Sequence, residues 1–171
     1  MDKESMPVAL ARASLEHFLE TGAVLPVPDS LELVLTNRAG VFVSLKKQGQ
    51  LRGCIGTFQP TKPSIASEII HNAIQAGTAD PRFEPVEAKE LSEITMSVDI
   101  LGNPEHVDSI ETLDPQKYGV IVRRGNRSGL LLPMLEGVET VEEQLSIAMQ
   151  KAGIGIDEEI ELYRFTVTRY K

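Results

Sequence analysis

Apolar positions recur at two spacings along this chain, and the switches between them mark its elements. Val8, Ala11, Leu15, Phe18 and Leu19 follow helical spacing behind Ser5, a residue type suited to cap a helix, and Gly22 closes the run. The next stretch, "AVLPVPDS" (23–30), carries two prolines and predicts an extended connector. In "GVFVSLKKQGQLRGCIGTF" (40–58) apolar residues alternate instead, with a break at "KKQGQ". That pattern predicts a β-hairpin turning about Gln48–Gln50, with Gly49 supplying a positive φ. Ile65, Ile69, Ala73 and Ile74 return to helical spacing over 63–77, where Gly77 is expected to stop the helix.

Farther on, "EITMSVDILG" (93–102) alternates as a half-buried strand, and a polar, proline-punctuated loop precedes it with a short helical turn at "EAKEL". "YGVIVRRGNRSGLLLP" (118–133) reads as a second strand–turn–strand. Thr140 and Glu143 form a capping box that opens a helix ended by Gly153, and "EEIELYRFTVTRY" (158–170) closes the chain as one long strand.

The two hairpins share a plan. Each opens Gly-Val-x-Val, turns through a basic segment containing glycine, reaches glycine again, and is followed by a helix ending in Ala-Gly. An internal duplication of a strand–strand–helix unit accounts for this better than chance does. The expected fold is therefore α+β, a single domain over 1–171 with related halves at about 5–102 and 103–171. Its sheet is expected to be curved, barrel-like and mostly antiparallel, with the helices outside.

Composition narrows the class. With 42% hydrophobic and 25% charged residues in 171, the chain has the makings of a globular core. Neither a membrane span nor a signal peptide is expected, and a cytoplasmic setting is the default for one unpaired cysteine. The three histidines, His17, His71 and His106, lack metal-ligand spacing, so no metal and no cofactor is expected. A net charge of -8 disfavours nucleic acid as a bulk polyanion ligand.

Cys54, in "QLRGCIGTF", is the residue that raises the question of chemistry. Strand alternation would place Arg52 on its face, and a guanidinium there would favour the thiolate. Gly53 and Gly56 would leave bare backbone beside the sulfur for an oxyanion or a closely approaching ligand. Burial as a small apolar residue is the competing explanation. His71 is a candidate base, although its place beside an apolar stripe also fits a structural role. The rigid "DPRFEP" loop presents Asp80 and Arg82 as either a binding pair or an internal ion pair, with Phe83 as anchor. Six of the 17 basic residues, Lys46, Lys47, Arg52, Arg123, Arg124 and Arg127, cluster in the two hairpins. They would suit an anionic ligand or an acidic partner, or else guard exposed strands against edge pairing.

"LRGCIGTF", "DPRFEPV", "YGVIVRRGNRSGLLLP", "KAGI" and "ELYRF", in that order over residues 5–170, resemble the AMMECR domain family. The family takes its name from a human chromosomal region linked to Alport syndrome, intellectual disability, midface hypoplasia and elliptocytosis. The resemblance implies a barrel-like α+β unit of duplicated halves and a biochemically unestablished role. It also implies a modification pathway shared with Memo-type and radical S-adenosylmethionine proteins, with a nucleobase as a candidate target. Its motif falls on Arg52, Gly53, Cys54 and Gly56, and less firmly on Asp80, Arg82 and Phe83. Many relatives carry a tryptophan near the last helix and a second cysteine before "KAG". This chain has no tryptophan and has Met149 or a neighbour at that place, so a two-cysteine mechanism is not carried over. Two functions are open on these grounds: a cysteine-dependent enzyme or enzyme-accessory subunit, and a non-catalytic module recognising an anionic small ligand or acidic partner protein.

Overall fold

The computed structural model describes residues 3–171. It is α+β, with helices α1 (Met6–Thr21), α2 (Ile65–Thr78) and α3 (Val141–Ala152). The strands are β1 (Val41–Lys47), β2 (Gln50–Thr57), β3 (Ile94–Leu101), β4 (Glu105–His106), β5 (Gly119–Arg124), β6 (Arg127–Leu131), β7 (Glu161–Phe165) and β8 (Val167–Tyr170). They form two four-stranded sheets, ordered β2-β1-β3-β8 and β4-β7-β5-β6. The chain divides into two units: the first runs to Ile100 and takes in Thr168–Lys171, and the second is Leu101–Val167.

In the first unit, Val41, Val43 and Leu45 of β1 and Ile94, Met96, Val98 and Ile100 of β3 turn to one face of the sheet. There they join Ile65, Ile69, Ile70 and Ala73 of α2 and Val8, Ala11 and Leu15 of α1 in one core. Alternating burial on the strands and helical spacing on the helices produce this directly. Glu68, fully buried in the first turn of α2, accepts hydrogen bonds from the Thr61 and Lys62 amides and the Thr57 hydroxyl. That carboxylate ties the loop after β2 to the helix.

The β1–β2 turn is a two-residue loop with both central residues at positive φ, Gln48 at 53° and Gly49 at 76°. This is the primed geometry that matches strand twist. Gly77, expected as a stop, lies inside α2, which runs on to Thr78 with Ala79 as its C-cap. A side chain there would collide with Leu15, so this glycine admits α1 rather than ending α2. Ser5 is the N-cap residue of α1, but its hydroxyl makes no cap bond.

The second unit repeats the plan with a core of Val120, Val122, Leu131, Ala148 and Leu162. Thr140 caps α3 through the Glu143 amide, and Gly153 closes it at φ 68°. The long closing strand is broken: Thr166 separates β7, in the second sheet, from β8, in the first. The last four residues group with the first unit. Pairing of β8 with β3, an Arg169–Asp99 ion pair and a hydrogen bond from the Ser5 amide to the Lys171 carbonyl all tie them there.

The repeat has a common physical device. A Cβ on Gly53 of β2 would overlap the Ala76 carbonyl oxygen of α2, and one on Gly129 of β6 would overlap the Ala148 carbonyl oxygen of α3. Each helix backbone sits on its strand where no side chain intervenes. Gly53→Ala and Gly129→Ala should each cost about 1–3 kcal/mol in urea unfolding, as overpacking does. A loss under about 0.5 kcal/mol, the level of an ordinary surface change, would refute the shared contact.

Candidate functional site around Cys54

Because Gly53 faces α2, its neighbour Cys54 faces the other way. Cys54 lies directly across from Ser44, which lies across from Ser97. Phe42 and Gly56 form the adjoining pair on that face, and Asp99 continues it along β3. The thiol is thus outside the apolar core, half-buried on a polar strip, with Sγ 3.2 Å from the Ser44 hydroxyl.

The residues at 80–82 dock on the backbone of β2. Asp80 accepts from the Cys54 amide at 3.0 Å, and Arg82 Nη2 donates to the Cys54 carbonyl at 3.4 Å. Arg82 also grips Asp80 through Nε and Nη2, at 3.0 and 2.8 Å. Asp80 is buried, its carboxyl held well below the usual carboxylate range chiefly by the Arg82 hydrogen bonds, while the Arg82 side chain is 56% exposed. These bonds occupy a strand edge that would otherwise present open donors and acceptors. On β3, Asp99 is buried and held by Arg169 Nε and Nη2 at 2.7 and 2.8 Å.

Arg52 does not serve the thiol. Leu45 pairs with Gly53 and Lys46 with Leu51, so Arg52 is the extra residue of a β-bulge. The bulge breaks the alternation that would have aligned Arg52 with Cys54. Its guanidinium instead donates to both oxygens of Glu90 and to the carbonyls of Glu84 and Pro85. Lys47 joins at Glu90, whose carboxyl falls to about 2 through the Glu87 amide, Arg52 and Lys47.

His71 is likewise removed from the sulfur. It lies on α2, which covers the opposite face of the sheet, and its Nδ1 donates to the Ser67 carbonyl at 2.8 Å. Nor do the glycines leave bare backbone for a ligand: Gly53 is closed by α2, and the Phe42 ring lies over Gly56. In the second unit Arg123 pairs with Glu161, and Arg124 and Arg127 with Glu158. Lys47 and Arg52 of the first hairpin are matched by Glu90.

What remains at the thiol is Ser44, Asp80, Arg82, Asp99 and Arg169. Burial raises the Cys54 pKa; the Ser44 hydrogen bond and the Arg82 charge act against it, while Asp99 and Asp80 add to it. The resting group is the neutral thiol. Sequence reasoning missed Ser44, Asp99 and Arg169. Asp99 had a visible signal, a carboxylate inside the apolar run "MSVDIL", whereas Arg169 meets it only through the pairing of β8. Among the described residues no cluster of three or more His, Cys, Asp or Glu is placed to hold a metal, and no helix is long and apolar enough to cross a membrane.

The chain belongs to the AMMECR1 family, whose model matches residues 8–170. A Thermotoga maritima protein is 56% identical over 160 residues, covering 92% of each chain. One from Clostridium acetobutylicum is 55% identical over 166 residues; the match takes 96% of this chain but only 35% of that protein. The crystal structure of an uncharacterized protein from Pyrococcus horikoshii superposes with a TM-score of 0.90 at 32% identity, covering 98% of this chain and 91% of that one.

Glu90 supplies a pH test of the Arg52 clasp. Its folded pKa, about 2, lies below the unfolded carboxylate value, so its contribution is present above about pH 4.3 and is lost as pH falls through about 2. Glu90→Gln should lower stability at pH 7 and flatten the decline on acidification over that window. A parallel decline in the variant, followed by denaturant midpoints against pH, would exclude the linkage.

Proposed function

We propose that the protein is a recognition module or enzyme-accessory subunit that binds an anionic small ligand beside Cys54. The observation that carries this reading is the state of Arg82. Buried Asp80 fixes its Nε and Nη2, the side chain is half-exposed, and Nη1 has no hydrogen-bond partner among the described residues. A planar guanidinium held on one edge and open on another is prepared for a carboxylate or phosphate oxygen. Under this proposal the neutral thiol and the Ser44 hydroxyl contribute polar contacts rather than attack. As an accessory subunit it would serve the modification pathway that the family resemblance connects with Memo-type and radical S-adenosylmethionine proteins.

A cysteine-dependent enzyme is the second reading, favoured by one observation. Where the first unit places Ser44 and Cys54 across from each other, the second places Ile121 and Leu130. The duplicated scaffold accepts an apolar pair there, so packing does not demand the thiol. Catalysis would then require deprotonation of Cys54 upon substrate binding, because burial keeps the resting group protonated.

Two measurements separate the readings. In NMR titrations with acetate and with inorganic phosphate, the Arg82 Nε and Cys54 amide signals should shift saturably, lose the response in Arg82→Gln and keep it in Cys54→Ser. Shifts that survive Arg82→Gln, or vanish in a folded Cys54→Ser, would sink the recognition reading. Iodoacetamide alkylation against pH should show a midpoint above the free-thiol value of about 8.5, lower in Asp99→Asn and higher in Arg82→Gln. A midpoint below neutrality would favour the enzyme.

A further inference from the structure

The second unit carries a surface that the Cys54 site does not use. Ser146, Met149 and Gln150 on one face of α3, with Ile154 and Ile156 from the following loop, line a hollow of about 280 Å³. Ile156 is 86% exposed at the edge of this hollow.

The loop is held firmly. Glu158 accepts from the Gly155 amide at 2.6 Å and from Arg127 Nη2 at 2.8 Å, and Arg124 lies 3.4 Å from the same carboxylate. Arg127 also donates to the Gly153 carbonyl and Arg124 to the Glu159 carbonyl. The basic turn of the second hairpin thus clamps residues 153–159 and sets Ile156 outward beside the hollow.

Apart from Arg124 and Arg127, which pair with Glu158, the chain around the hollow is acidic. Residues 136–159 hold seven carboxylates and one lysine, Lys151. Glu142 lies one helical turn before Ser146 on the same face of α3, and Asp157 follows Ile156. Neither carboxylate has an ion-pair partner among the described residues, and both are exposed. A hollow of mixed lining, with Met149 and Ile156 as its open apolar groups and the unpaired carboxylates Glu142 and Asp157 close by in the chain, fits a complementary partner. Anionic lipid would be repelled by those carboxylates, and a second copy of a chain with net charge -8 would be as well.

We propose that this hollow is a docking surface for a basic amphipathic helix of a partner protein, with Ile156 as its apolar anchor and Glu142 and Asp157 as its charge guides. The partner's apolar stripe would lie against Met149 and Ile156, while its lysines or arginines would meet the carboxylates. This surface is independent of the Arg82 reading.

The test uses the full chain and a fluorescent amphipathic helical peptide of leucine and lysine, about four turns long, with a leucine–glutamate peptide as control. Anisotropy should show saturable binding of the lysine peptide, weakened by salt, and no binding of the control. Ile156→Ser should weaken binding about tenfold, and Glu142→Lys with Asp157→Lys by at least as much, with circular dichroism unchanged. Equal affinity in Ile156→Ser, or binding of the glutamate peptide as tight as that of the lysine peptide, overturns the proposal. So does self-association of the free protein, seen by sedimentation and abolished by Ile156→Ser, since the occupant would then be a second copy.

Discussion

The contact between a strand glycine and a helix carbonyl organises both halves of this protein. Gly53 meets the Ala76 carbonyl and Gly129 the Ala148 carbonyl, and no side chain can occupy either position without pushing the helix off the sheet. Strand alternation then does the rest. Once Gly53 faces the helix, Cys54 must face away, and the thiol leaves the apolar core for a strip shared with Ser44, Ser97 and Asp99. The same geometry turns Leu130 away from α3 in the second unit, where its partner is Ile121. One packing constraint therefore sets the location of the candidate site, while the residue types at the outward positions set its chemistry.

Electrostatics supplies the second layer. Arginines in this acidic chain act largely as intramolecular clamps. Arg52 gathers Glu90 and two carbonyls, Arg82 holds Asp80 against β2, Arg169 holds Asp99, and Arg124 and Arg127 secure the loop around Glu158. Most of these clamps fix a loop or a strand edge, and the Arg52 clamp holds the short 3-10 helix that carries Glu90. At Cys54 the consequence is a balance. Two arginines are near enough to feel the thiol, yet each is paired with a carboxylate, and desolvation dominates what remains. The result is a thiol that rests neutral between compensated ion pairs.

The residues that were legible in the sequence share a property: their signal is local. Helical spacing around Leu15 and Ile69, the turn at Gly49, the Thr140 cap and the alternation of β3 all depend on neighbours within a few positions. The duplicated Gly-Val-x-Val hairpins were visible for the same reason. Gly77 misled because a glycine within a helix for packing and one ending a helix look alike in sequence; Leu15, more than sixty positions away, decides between them. The closing strand misled in a similar way, since unbroken alternation across Thr166 does not reveal that its two ends join different sheets.

At the candidate site, the sequence by itself determined the cysteine, its neighbouring glycines, the acid–arginine pair of "DPRFEP" and membership of the AMMECR1 family. Tertiary structure decided which of those groups meet. A single bulged residue at Arg52 sends its charge to Glu90, the placement of α2 sets His71 on the far face, and β8 returns Arg169 to Asp99. These outcomes rest on register and long-range pairing, where a shift of one position reverses the face on which a side chain lies. Periodicity along the chain reveals which residues can share a face; only the paired sheet establishes which of them do.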